Sequence, residues 1–114
     1  MEKIVEQTLL YDFYGELLNE HQKQVYEDVV FNDLTLSEVA DAYGISRQGV
    51  HDLIKRVTLT LEGYEEKLHL ISKFMDTKNK VQQIVELSDE FTKTKDASVI
   101  DRIKELSKDI LNDF

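Results

Sequence analysis

Five side chains able to read or grip a nucleic acid fall close together: Arg47, Gln48, His51, Lys55 and Arg56. Arg and Gln types make paired hydrogen bonds to guanine and adenine edges, while Lys and Arg neutralise phosphates. Ser46 stands just before them, and free backbone N–H groups suit phosphate oxygens if a helix starts there. Gln48, His51 and Lys55 are spaced by three and four, which brings them onto one helical face.

Residues 35–57, TLSEVADAYGISRQGVHDLIKRV, supply the elements to position them. With Leu36 as the first position of a helix, turn and second helix, Ala40 falls where two helices cross and a small side chain is needed. Gly44 falls at the turn, where positive φ favours glycine. Val50 and Leu53 fall where the second helix must be apolar to fix itself on the first. Thr35 with Glu38 predicts a capping box, and Ser46 predicts the cap of the second helix. A helix-turn-helix of this kind presents its second helix to the major groove of DNA. The same four structural positions would serve any trihelical fold, and the polar residues could equally be a solvated face.

Composition limits the alternatives. The chain has 114 residues, no proline, four glycines and 41% apolar residues, which predicts an almost wholly helical protein. It lacks cysteine, so disulfides, thiolate chemistry and Cys-ligated zinc are excluded. His21, His51 and His69 have no metal-ligand spacing, the isolated glycines form no nucleotide-binding loop, and no carboxylate pair adjoins a nucleophile. No cofactor, metal or enzymatic activity is expected. No apolar stretch is long enough to cross a membrane, and the acidic, amphipathic start of the chain is unlike a signal peptide. A cytoplasmic location is the expectation.

The net charge of −9 opposes DNA binding, but it is uneven. Residues 1–45 carry ten acids against two lysines, whereas residues 46–80 carry seven bases against five acids. The positive balance sits on the second helix of the motif and its continuation. A small positive face on an acidic body implies weak non-specific affinity.

Apolar periodicity predicts a first helix over about 6–18, a second from Asn19 to about Phe31, and a third over 35–43. A fourth starts after Ser46 and runs well past residue 70. Its stripe of Ile54, Val57, Leu61, Tyr64, Leu68, Ile71 and Met75 alternates spacings of three and four. Gly63 lies within it, where a bend or close helix approach is expected. Residues 92–96 read as a loop, with Asp96 or Ser98 capping a last helix. Two units are expected, a helix-turn-helix domain over 1–60 and a helical extension over 61–114. The extension is expected to pair two chains through Leu61, Tyr64, Leu68, Ile71 and Met75, the alternative being packing within one chain. Tyr11, Phe13 and Tyr14 are expected in the core rather than as a base-stacking platform.

The segment LLYDFYGELLNEHQKQVYEDVVFNDLTLSEVADAYGISRQGVHDLIKRV, followed by LEGYEEKLHLISKF, resembles the YlxM family of small bacterial helix-turn-helix proteins. The resemblance covers about residues 5–75 and is carried by YDFY, SRQGVHDLIKR and YEEKL. The helix-turn-helix is also similar to region 4 of bacterial sigma factors. The fold implied is all-α, a trihelical unit of the sigma region 4 and winged-helix-like type, with an added N-terminal helix and a helical C-terminal extension. The family is typical of Gram-positive bacteria, and its genes usually neighbour that of the signal recognition particle GTPase. The resemblance therefore implies a DNA-binding regulator linked to protein targeting, or an adaptor that contacts that GTPase or its ribonucleoprotein without binding DNA.

Overall fold

The computed structural model describes residues 2–114. Met1, at the start of the expected 1–60 domain, lies outside the described residues. Among the described residues there are six α-helices and no strand: α1 (Lys3–Tyr14), α2 (Glu20–Tyr26), α3 (Leu36–Tyr43), α4 (Arg47–Leu68), α5 (Leu70–Thr94) and α6 (Ser98–Asn112). A 3-10 turn, Gly15–Leu17, follows α1, and a π turn, Glu27–Phe31, extends α2. The chain divides into two compact units, one ending at Ile71 and the other Ser72–Phe114.

Local chemistry sets the helix ends in the first unit. Asn19 accepts the Gln22 N–H at 2.8 Å while the Gln22 side chain accepts the Asn19 N–H at 3.0 Å. Thr35 and Glu38 make the same reciprocal pair at 3.1 and 3.2 Å. Each such cap contributes about 1 kcal/mol. α3 stops at Gly44, whose φ of 67° lets its own N–H and that of Ile45 both return to the Ala40 carbonyl. A Cβ placed on Gly44 would meet no atom within 4 Å. Glycine is needed there for the left-handed backbone, not for space.

Two apolar clusters meet on α4. Leu10, Tyr14, Leu18, Tyr26, Val57 and Leu61 form one; Val25, Val39, Ala40 and Val50 form the other. Leu53 and Ile54 pack against both, so a single helix is locked from two sides. Ala40, only 4% exposed, occupies the helix crossing as its size requires. Tyr14 is buried, with Tyr11 and Phe13 partly buried against the same cluster.

The expected continuous fourth helix is broken. His69 takes φ 58° and ends α4, and α5 begins at Leu70. The first amides of α5 find distant partners. The Tyr14 hydroxyl accepts the Leu70 N–H at 3.1 Å and donates to Glu65 Oε1 at 2.5 Å; that same oxygen accepts the Ile71 N–H at 2.9 Å. Orphan donors of a new helix are thereby satisfied by a residue of α1 and one of α4. Gly63 causes no such interruption: α4 runs through it, and a Cβ there would meet nothing within 4 Å.

The stripe on α4 is also partly explained within one chain. Leu61 is fully buried, and Tyr64 and Ile71 pack against its cluster. Of the residues expected to pair two chains, Leu68 and Met75 remain exposed. The first compact unit, which contains Leu61, Tyr64 and Leu68, ends at Ile71. α1 starts at Lys3, earlier than expected, and its last expected turn is 3-10.

In the second unit α5 continues to Thr94, so the expected loop over 92–96 shrinks to residues 95–97. Lys95, at φ 58°, ends α5, and Asp96 Oδ1 accepts the Ser98 N–H and hydroxyl at 3.0 and 2.8 Å. Neither residue expected to cap α6 stands at its N-cap, which is Ala97 and makes no side-chain cap bond; Asp96 instead closes a turn onto Ser98, the first residue of the helix. Val99 and Leu106 are the buried residues of this unit, and Lys80 joins Asp76 and Asp113 at 3.0 and 3.1 Å.

Candidate nucleic-acid interface

The turn between α3 and α4 sets the exposed end of α4. Ser46 is extended, with φ −77° and ψ 158°, and its hydroxyl accepts the Gly49 N–H at 2.9 Å. This fixes where α4 starts and which residues follow on each face. Val50, Leu53, Ile54 and Val57 point into the two clusters. Ser46, Arg47, Gln48, His51, Lys55 and Arg56 are all exposed. The structure thus places Arg47, Gln48, His51, Lys55 and Arg56 on the outer side of one helix whose inner side is fixed, with Ser46 at its N-cap.

Two concavities adjoin that surface. Leu36 from the start of α3 joins Arg47, Gln48 and His51 around a shallow recess. Lys3 and Gln7 of α1 join His51, Lys55, Thr58 and Glu62 along an open groove of about 500 Å³, with Ile54 and Leu59 also lining it. Lys3 and Gln7 are additions to the expected set, placed there by the packing of α1 on α4, which no local pattern signals.

The surface also contains an acid. Gln48 Nε2 donates to Asp52 Oδ1 at 2.9 Å, and His51 Nδ1 lies 3.6 Å from the same oxygen. Hydrogen bonding from Gln48, with help from His51 and the positive charge of Arg56, holds the Asp52 carboxyl below its ordinary range. Asp52 is therefore ionised at neutral pH among the residues expected to meet DNA.

Tyrosines elsewhere in the unit serve its architecture. Burial, and then the bond to Glu65, push the Tyr14 hydroxyl up; burial and Glu27 do the same to Tyr11. Both remain neutral donors. Tyr11 stacks on Tyr26 at 5.5 Å, leaving its ring no free face for a base on that side. Among the described residues no group of His, Asp and Glu is arranged to hold a metal, and no helix is long and apolar enough to cross a membrane.

Comparison with known proteins agrees with this geometry. The sequence model of the UPF0122 family, described as "Putative helix-turn-helix protein, YlxM / p13 like", matches residues 1–106. A UPF0122 protein of Thermoanaerobacter sp. (strain X514) is 39% identical over 106 residues, covering 90% of this chain and 89% of that one. One from Acetivibrio thermocellus is 37% identical over 115 residues, covering 97% and 98%. One from Bacillus pumilus is 39% identical over 100 residues, covering 88% and 91%. With a helix-turn-helix built in full and relatives matched over nearly their whole length, this chain belongs to the UPF0122 family of YlxM/p13-like proteins.

Proposed function

We propose that this protein is a DNA-binding regulator rather than an enzyme, acting in the cytoplasm, with the amino end of α4 in the major groove. The observation that carries this reading is the division of α4 into two sides. One side is anchored in both apolar clusters, while Arg47, Gln48, His51, Lys55 and Arg56 stand exposed on the other. Arg47, Gln48 and His51 contact base edges. Lys55, Arg56 and the amides after Ser46 contact phosphates. Binding to duplexes selected from a random pool, followed at low and moderate salt, tests this. Arg47→Ala with Gln48→Ala should abolish sequence preference, whereas Lys55→Ala with Arg56→Ala should weaken all duplexes alike. Absence of duplex binding at low salt would sink the reading.

Two copies acting together fit a helix-turn-helix that reads paired half-sites. Residues 61–114 are the proposed pairing element. Because Leu61 lies in its own chain's core, pairing falls to exposed positions such as Leu68 and Met75, with Val81, Val85, Ile100 and Leu111 as further exposed apolar side chains. Sedimentation at tens of micromolar tests this; a monomer there counts against it.

A second reading is favoured by charge. Up to Ile71 the chain holds fourteen Asp and Glu against six Lys and Arg. Such a surface suits a basic partner, and the resemblance to the YlxM family suggests the signal recognition particle GTPase or its RNA–protein particle. Retention of the purified GTPase on immobilised protein, without any duplex binding, would favour this adaptor role.

A further inference from the structure

Asp52 is an unusual residue to find on a surface meant for DNA. It is fully ionised, it is exposed, and it sits one turn beyond Gln48 on the outer side of α4. A carboxylate there repels the phosphate backbone, and that repulsion acts on every duplex equally. Its hydrogen-bond and ion-pair partners among the described residues, Gln48 and His51, are themselves exposed. Its hydrogen-bonding atoms are nonetheless committed in a particular way. Oδ1 accepts the Gln48 amide at 2.9 Å and faces His51 at 3.6 Å. Oδ2 makes no hydrogen bond among the described residues.

Two consequences follow from this arrangement. The bond from Gln48 Nε2 fixes the plane of that amide, leaving its second N–H and its oxygen for a base edge. The outward carboxylate can accept from only one kind of major-groove group, an exocyclic amino group. Cytosine N4 is the donor that a lone carboxylate acceptor matches, because adenine pairs better with an amide that can also donate to N7. We infer that Asp52 is a specificity-determining residue, whose carboxylate orients Gln48 and accepts a hydrogen bond from the N4 amino group of a cytosine in the recognised site. This rests on the proposal that α4 reads DNA. It adds a prediction about one base pair that the general reading does not make.

The chemistry of replacement gives a sharp test. Asp52→Asn keeps the shape, removes the charge and substitutes an amide suited to adenine. Wild-type protein and the variant would each be used to select duplexes from the same random pool, and the selected sites compared position by position. Competition between the selected site and random duplex would be measured alongside, and helical content would be checked by circular dichroism. The expected result is a change at one base pair, from C·G to A·T, with the remaining positions kept. Random duplex should bind several-fold tighter, so the preference for the selected site over random falls about tenfold. An unchanged site overturns the inference, as does loss of preference at every position in a folded variant. If both duplexes tighten equally with no change of site, Asp52 only repels phosphate and the inference fails. If wild-type protein selects no duplex, the DNA reading itself has failed, an outcome distinct from all the others.

Discussion

The Tyr14 hydroxyl lies where α1 meets the break between α4 and α5. It donates to Glu65 and accepts from Leu70. Tyr14→Phe keeps the ring but takes one donor from the half-buried Glu65 carboxylate and the hydroxyl acceptor from the Leu70 amide. A loss of about 1–3 kcal/mol in urea-derived stability is expected. Asp96 offers a test by pH. Its carboxyl is lowered by the Ser98 hydroxyl and then the Ser98 amide. A lowered native value means its contribution is complete above the ordinary carboxylate range and lost as pH falls through the lowered value. Fraying at the start of α6, read by amide exchange, should therefore grow below about pH 4, and Asp96→Asn should flatten that dependence. Asp52 shows why part of the proposed interface escapes a reading of the sequence. An acid four residues after Gln48 is a readable signal for a helical contact, but a search for positive and amide side chains passes over it.

At the level of elements, sequence and structure agree wherever the deciding interactions are local. The capping boxes at Asn19 and Thr35, the cap at Ser46 and the left-handed Gly44 each involve residues within a few positions of one another. The break at His69 is different. Its cause includes Tyr14, 56 positions from the Leu70 amide it accepts, and nothing near His69 resembles a glycine or proline stop. Periodicity alone also leaves two meanings for the α4 stripe, since a core and an interchain seam share the same spacing. Burial separates them at Leu61. Leu61→Ala should cost about 2–5 kcal/mol, as for other buried leucines, at any protein concentration. A cost that grew with concentration would instead assign Leu61 to a contact between chains.

For the molecule as a whole, charge limits how tightly the proposed interface would hold DNA. The proposed phosphate contacts from side chains are Lys55 and Arg56, and the first unit is strongly acidic. Each neutralised phosphate contributes about −0.9 to the slope of log affinity against log salt. A slope near −2 per copy is expected from titrations of one duplex at several salt concentrations. A much steeper slope would require cations beyond these two, with Lys3 in the α1–α4 groove the first to substitute.

The tyrosine rings that build the first core have a practical consequence. Tyr11, Tyr14, Tyr26, Tyr43 and Tyr64 all precede Ser72, and the chain has no tryptophan. Its near-ultraviolet emission is therefore a built-in reporter of the helix-turn-helix unit alone, while far-ultraviolet dichroism sums both units. With Val99 and Leu106 as its buried residues, the second unit has the smaller store of apolar burial. On heating, dichroism should begin to fall before tyrosine emission changes; coincident curves would mean that both units melt as one. The protein thus carries an optical label on its helix-turn-helix unit, and its two units can be followed separately without attaching a dye.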